Sequence, residues 1–190
     1  SIVPGSKAGA DLIRWVRKNA DADTLRTIDR AADAAGGTAV SPGRVVSVDD
    51  IPGVGPTPGR GGFSDWFDSL SADDFAAYWS NPATRTKMQR MLREPGGFHE
   101  WAMVSRADKF HNWGFSARDI WSFRTSTQNL TWINPQTGLP GRHGGHGSGA
   151  FHHELSQLID SSNNVGELRS GLISLSHRWN IPNLPDIIGR

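Results

Sequence analysis

The chain contains 190 residues and has a formal net charge of +1, from 20 Lys and Arg against 19 Asp and Glu. This balance lacks the overall basic field that marks many nucleic-acid-binding proteins. The absence of cysteine excludes disulfides, cysteine nucleophiles, thiolate metal sites and the zinc deaminases whose signature needs a cysteine pair. No window approaches twenty apolar residues, so we expect no membrane insertion.

Residues 51–62 contain proline and glycine so densely that they cannot hold regular structure. We interpret this stretch as a linker, which divides the chain into an N-terminal helical appendage with its linker, 1–60, and a main domain, 61–190. The appendage is predicted to contain helices over 6–19 and 22–35 and a short strand over 45–48.

After the linker, apolar residues recur mainly at helical spacing, and Ser71, Asn81 with Pro82, and Ser116 are placed as helix starts. Alternation over 129–134, followed by turn-forming residues, predicts a strand. We therefore expect an α+β domain, predominantly helical with a small β element next to a histidine-rich loop. Its predicted helices span 63–70, 71–79, 82–94, 98–110, 116–123, 148–161 and 165–179.

The histidine-rich loop lies within the run Gly-Arg-His-Gly-Gly-His-Gly-Ser-Gly-Ala-Phe-His-His-Glu at 141–154, which holds four of the seven histidines. Its glycines allow a positive φ or a close approach of the backbone to a ligand. Ser148 is placed to cap the following helix, whose free N–H groups favour an anion such as phosphate. The imidazoles can move protons or bind a metal ion at neutral pH.

Helical geometry separates the histidines and the carboxylate of this run. At 100° per residue, His152 lies beside the apolar stripe formed by Leu155 and Ile159, while Glu154 lies on another face and His153 falls between them. His152 is therefore expected to be the most rigidly held, as a ligand or catalytic group must be. The alternative is a flexible surface turn beside a half-buried core histidine.

A second cluster of polar residues follows the turn Pro95-Gly96-Gly97, where His99 and Glu100 occupy a predicted helix start. A histidine and a carboxylate mounted there are suited to general acid or base catalysis, although an ordinary first-turn acid beside a solvated histidine explains them too. Neither cluster holds a full catalytic set, so we expect the two to form one site.

The remaining candidate residues carry weaker signals. His111 suits the dipole of a helix C-terminus, and His177 is expected to be exposed. Residues 81–127 carry eight Lys and Arg against four Asp and Glu, which is compatible with phosphate contacts. The basic residues nearest the histidines in sequence are Arg106, Lys109, Arg124 and Arg142, although a solvated helix face explains most of them equally well.

Four runs at 96–107, 109–116, 123–127 and 143–155 carry a resemblance. They include Gly-Gly-Phe-His-Glu-Trp, Lys-Phe-His-Asn-Trp-Gly-Phe-Ser, Phe-Arg-Thr-Ser-Thr and His-Gly-Gly-His-Gly-Ser-Gly-Ala-Phe-His-His-Glu-Leu. Together they resemble the C-terminal toxin modules of bacterial polymorphic toxins of the Rhs, WapA and contact-dependent inhibition types. The resemblance covers about residues 63–190. Carried over residue by residue, it selects His99, Glu100, His143, Ser148, His152 and Glu154.

Such modules are commonly nucleases, and several belong to the HNH/endonuclease VII class, in which a ββα unit places a base histidine on a strand and a metal histidine on the helix. This sequence departs from that pattern, because His143 and His152 are only nine residues apart, too close for an intervening strand. A strict site of that class would need His99 or His111 as base, Asn134 as the polar middle residue and His152 as ligand.

The resemblance implies a secreted antibacterial nuclease that acts in the target-cell cytoplasm on nucleic acid, and that a cognate immunity protein neutralises. His143 is the expected base and His152 the second catalytic histidine or the ligand of a divalent Mg or Zn ion. His99, Glu100 and Glu154 would complete the catalytic set, and Arg142, Ser148, Arg106 and Arg124 would bind substrate. The alternatives are a metal-independent RNase with a two-histidine acid/base pair, and an interaction module without chemistry.

Overall fold

The computed structural model describes residues 45–53, 62–182 and 184. The helices predicted over 6–19 and 22–35 lie outside the described residues. Within the described ranges the structure is α+β and predominantly helical, as predicted, and no helix there is both long and apolar enough to cross a membrane. The helices are α1 (Phe63–Ser69), α2 (Ala72–Ser80), α3 (Pro82–Arg93), α4 (Ala107–Asn112), α5 (Ala117–Ser122), α6 (Ser148–Ser161) and α7 (Val165–Trp179).

Side-chain caps explain where most of these helices begin. The Ser71 hydroxyl accepts the Asp74 N–H at the start of α2, and the Asn81 amide oxygen accepts the Ala83 N–H at the start of α3. Ser116 forms a capping box at the start of α5. Each cap satisfies a backbone N–H that has no partner within its helix, so these starts are fixed by local sequence.

The β structure consists of two small antiparallel sheets. In the first, β1 (Phe98–His99) pairs with β2 (Thr125–Ser126), so that His99 lies opposite Thr125. In the second, β3 (Thr131–Ile133) pairs with β4 (Pro140–Arg142). The predicted turn at 135–138 joins β3 to β4, and the resulting hairpin leads into the histidine-rich loop and α6.

A core rich in aromatic residues supports both motifs that carry histidines. Trp132 of β3 stacks on Phe151 of α6 with ring centroids 4.8 Å apart, and Trp179 of α7 meets the edges of both rings. Trp101, which follows β1, meets Phe151 edge to face. These rings are nearly inaccessible to solvent and fix the β3–β4 hairpin, α6 and the segment after β1 against one another.

The helix predicted over 98–110 is wrong in its first half. Phe98 and His99 are extended and pair with β2, and Trp101 and Ala102 then adopt left-handed φ values of 53° and 59°. A 3₁₀ turn over Val104–Arg106 leads into α4. The helical pattern failed because pairing of Phe98 and His99 with β2 supplies hydrogen bonds that no local signal reveals.

The strand predicted over 45–48 is also wrong, because Ser47 instead caps a 3₁₀ turn at Val48–Asp50. The segment packs against the main domain: Ile51 is buried, Tyr78 donates its hydroxyl to Asp50 at 3.0 Å, and Lys87 donates to the Val48 carbonyl. Residues 45–53 thus lie against α2 and α3 of the main domain. The division of the chain into 1–60 and 61–190 stays a prediction.

Candidate active site

Three histidines from the two predicted motifs lie together. His99 ends β1, His143 directly follows β4, and His152 lies in the second turn of α6. The Nε2 atoms of His99 and His152 are 3.0 Å apart, and the His143 ring centroid lies 5.2 Å and 5.3 Å from the other two. One ring nitrogen from each histidine can be chosen so that all three lie within 4.8 Å of one another. We call these three residues the histidine cluster.

The helix α6 holds His152 in a defined tautomer. Its Nδ1 lies 2.6 Å from the Ser148 carbonyl oxygen, which can only accept, so Nδ1 carries a proton. In the neutral ring, Nε2 therefore has a free electron pair, and this atom faces His99. His152 is half-buried beside the apolar stripe of α6, as the helical spacing predicted.

His99 is the buried member of the cluster. It is 2% exposed and meets the rings of Trp101 and Phe151. Its Nδ1 accepts the Trp101 N–H at 3.3 Å, which places the proton of the neutral ring on Nε2, from where it is donated to His152. Burial, helped by the nearby His152 and His143, lowers the pKa of His99 to about 3, so this ring is neutral at physiological pH.

His143 is the more accessible candidate base. Its backbone N–H donates to the Leu130 carbonyl, which anchors it beside the start of β3. Its side chain is half-buried. Desolvation first, and then the nearby His152, lower the pKa of His143, while Glu100 acts in the opposite direction. The ring is therefore mostly unprotonated at neutral pH and can accept a proton.

The glycines of the loop allow it to lie against Trp132. The indole N–H of Trp132 donates to the His146 carbonyl at 2.9 Å. A Cβ at Gly141 would overlap both that carbonyl oxygen and the indole nitrogen, and Gly147 has a left-handed φ of 74° against the same ring. The close backbone approach expected at these glycines is thus made to a tryptophan. Sequence analysis missed Trp132, whose only signal was its place in the alternation of β3.

The predicted role of Ser148 as helix cap is wrong. Gly147, in the left-handed conformation, occupies the cap position, and Ser148 is the first residue of α6. The Ser148 hydroxyl instead accepts the Gly144 N–H at 3.1 Å and lies 3.3 Å from His152 Nδ1. A left-handed glycine turns the chain into the helix here, which frees Ser148 to tie the loop to His152.

The two candidate carboxylates are engaged outside the histidine cluster. Glu100 pairs with Arg93 at 2.6 Å, although it is close enough to act on the pKa of His143. Glu154 accepts hydrogen bonds from Arg178 and from the indole N–H of Trp179, which join α6 to α7. Among the residues that the structure describes, the only group with metal-ligand spacing is the three histidines.

The candidate phosphate-binding residues differ in their surroundings. Arg106 pairs with Asp160 through two nitrogens, which raises the pKa of the guanidinium and lowers that of the carboxyl. Arg124 donates to backbone carbonyls, including that of Glu94, and covers the Phe98 ring. Arg142 is exposed and directly precedes His143. Of the three, Arg142 is the one adjacent in sequence to a member of the cluster, and it forms no ion pair with any described residue.

The other histidines lie elsewhere. His111 is buried and stacks on Phe75, while His146 points to the hydroxyl of Thr137 at 2.9 Å. His153 and His177 are exposed.

A strict HNH arrangement with His111 as base is not formed, because His111 stacks on Phe75. The side chain of Asn134, the expected polar middle residue, accepts the Gln136 N–H within the β3–β4 turn. Both strands of the hairpin precede His143, and only a turn separates it from α6.

Comparison of the chain with known protein families, curated proteins and solved structures finds no significant match in any of the three. Interpretation of the histidine cluster therefore depends on its own geometry and on the sequence motifs that carry it.

Proposed function

We propose that this chain is the nuclease domain of an antibacterial toxin, delivered by a bacterial secretion system into the cytoplasm of a target cell. There it hydrolyses phosphodiester bonds of nucleic acid, and a cognate immunity protein protects the producing cell. The motif resemblance supports the toxin class, and the chemistry of the histidine cluster supports the reaction.

The observation that carries the proposal is the meeting of His99 with His143 and His152. The two motifs are far apart in sequence, yet the Nε2 atoms of His99 and His152 come within 3.0 Å. Burying a polar imidazole costs free energy unless it is well paired, so a purely structural role gives no reason to gather three of them. His143 and His152 also keep part of their surface open to solvent, as a reactive site requires.

In the proposed reaction His143 is the general base. It is accessible and mostly unprotonated, so it can take the proton from the hydroxyl group that attacks phosphorus. We assign to Arg142, the preceding residue, the role of balancing the charge that develops on the phosphoryl oxygens. His152 is oriented by the Ser148 carbonyl, and His99 by Trp101. A metal ion bound at the cluster would add Lewis-acid polarisation of a phosphoryl oxygen or of water.

A metal-independent RNase is the second candidate, and one contact favours it. His99 and His152 hold a single proton between their Nε2 atoms, as the hydrogen bonds to the other nitrogens require. Once this pair binds a further proton, its imidazolium form can donate one to a leaving oxygen while His143 acts as base. In this version the attacking group is the ribose 2′-hydroxyl, so DNA would not be cleaved.

Growth of bacteria that express the full chain in the cytoplasm tests the proposal. We expect the wild-type chain to arrest growth with loss of intact DNA or RNA, and His143→Ala to abolish both. His146→Ala is the matched control, since it removes a histidine three residues away that points to Thr137. Loss of a positioned base typically costs two to four orders of magnitude in rate. Intact nucleic acids in arrested wild-type cells, or a fully toxic His143→Ala variant with an unchanged melting temperature, would contradict it.

A further inference from the structure

We propose that His99, His143 and His152 bind one first-row transition metal ion of the zinc type. This inference names the cofactor of the site described above, and its catalytic meaning rests on the proposed function. Metal binding itself is a property of the three side chains and can be measured without any activity assay.

The distances fit a single ion. In a tetrahedral zinc site with Zn–N bonds of about 2.0–2.1 Å, the ligand nitrogens lie about 3.3 Å apart. In this structure one pair lies 3.0 Å apart, and the full set lies within 4.8 Å. The proposal requires the His143 side chain, which is only half-buried, to rotate so that its nitrogen approaches the other two.

The surroundings of His152 match those of a metal ligand. Histidines that bind metals usually donate their second ring N–H to a carbonyl or carboxylate, which fixes the tautomer and the ring orientation. The His152 Nδ1–H donates to the Ser148 carbonyl, so Nε2 is already presented as a ligand atom. His99 requires one adjustment: coordination through Nε2 moves its proton to Nδ1 and gives up the contact with the Trp101 N–H, which at 3.3 Å is long.

The donor set discriminates between the two metals that the sequence left open. Mg²⁺ prefers oxygen ligands in octahedral geometry, whereas imidazole suits Zn²⁺ and its first-row neighbours. Among the described residues the cluster contains three imidazoles and no carboxylate, since Glu100 and Glu154 pair with Arg93 and Arg178. Three protein ligands also leave a position for water or substrate, as in catalytic zinc sites.

The test uses the full chain, treated with chelator and then titrated with ZnCl₂ or MgCl₂. We expect equilibrium dialysis with elemental analysis to give one zinc per chain and no magnesium at equal concentration. Zinc at a hundredfold excess over its Kd should raise the melting temperature by roughly 5–10 °C. Cobalt(II) should give the visible absorption of a four-coordinate site with three nitrogen ligands and one water, as a readout of geometry.

Two pairs of variants separate the cluster from its neighbours. His143→Ala and His152→Ala should each weaken zinc binding by at least about tenfold. The controls His146→Ala and His153→Ala remove exposed histidines three residues from His143 and directly after His152, and both should bind zinc as the wild type does. His143→Ala is the more informative ligand variant, because His143 lies in the loop after β4 and not within α6, so the chain should still fold.

Absence of zinc binding overturns the proposal, and so does unchanged binding in the His143→Ala, His152→Ala double variant. Magnesium that competes equally for the site overturns the choice of metal. Cleavage by chelator-treated protein that binds no zinc would reject the metal site and leave the nuclease proposal intact. Stoichiometric zinc binding by the cluster without cleavage of DNA or RNA would support the metal site and reject the nuclease proposal.

Discussion

Mild acidification should destabilise this domain through His99. The ring is buried and its pKa is lowered to about 3, whereas in the unfolded chain it returns to an ordinary value near 6.5. Below about pH 6.5 the unfolded chain therefore binds a proton at His99 that the folded chain does not bind. The contribution of His99 to the free energy of unfolding is full above that pH, and it is lost as the pH falls from there toward the folded pKa.

The magnitude follows from the protonation of the unfolded histidine. At about pH 7.5 roughly a tenth of unfolded chains carry that proton, and at about pH 5.5 roughly nine-tenths do, while folded His99 stays neutral at both. Integration over this interval gives a loss of about 1.4 kcal/mol. His143, whose pKa is also lowered, adds a loss of the same sign. The lowered pKa values of Asp160 and Glu167 act mainly as the pH falls below about 5, outside this window.

Urea unfolding at several pH values, with EDTA present to remove any bound metal, measures this effect. The variant His99→Phe keeps an aromatic ring beside Trp101 and Phe151 but has no proton to bind. Between about pH 7.5 and pH 5.5, the free energy of unfolding of this variant should fall by about 1.4 kcal/mol less than that of the wild type. His177 is exposed, and His177→Ala is the control: its free energy of unfolding should fall by as much as that of the wild type over the same pH interval. Equal losses in the wild type and His99→Phe would refute the reasoning.

Three further predictions concern the parts that support the cluster. Gly141→Ala should lower the free energy of unfolding by about 1–3 kcal/mol in urea titrations, because its Cβ overlaps Trp132 and the His146 carbonyl, whereas Gly149→Ala, in open space, should not. Glu154→Gln should lower the free energy of unfolding by at most about 1 kcal/mol and keep nuclease activity within a few-fold, since Glu154 pairs with Arg178. A loss of nuclease activity of a hundredfold or more would instead support a catalytic role for Glu154. A chain starting at residue 62 should keep activity but be about 1.5–3 kcal/mol less stable than one starting at residue 45, because it loses the buried Ile51; equal stability would contradict this.

Local sequence was enough to predict most helices. Ser71, Asn81 and Ser116 each satisfy backbone donors within three residues of themselves, so these starts do not depend on the rest of the fold. The helical period likewise placed His152 beside the apolar stripe of α6, because the direction of a side chain on a helix follows from its position alone.

The same local rules failed where distant partners compete with them. Phe98 and His99 became a strand because β2 offers backbone hydrogen bonds from residues far along the chain. Ser148 lost its predicted cap role because Gly147 could take a left-handed turn against Trp132, Asn134 and Trp179.

The sequence by itself indicated which residues are candidates for chemistry: the histidines of two glycine-flanked motifs, expected to form one site. Only the tertiary structure decided that His99, His143 and His152 meet, because their separation depends on how the β3–β4 hairpin and α6 pack on the Trp101, Phe151 and Trp179 rings. It also decided the tautomers, since these depend on Ser148 and Trp101 lying within hydrogen-bonding distance. Charge and periodicity along a chain carry no information about such distances, which arise only when buried surfaces have found their partners.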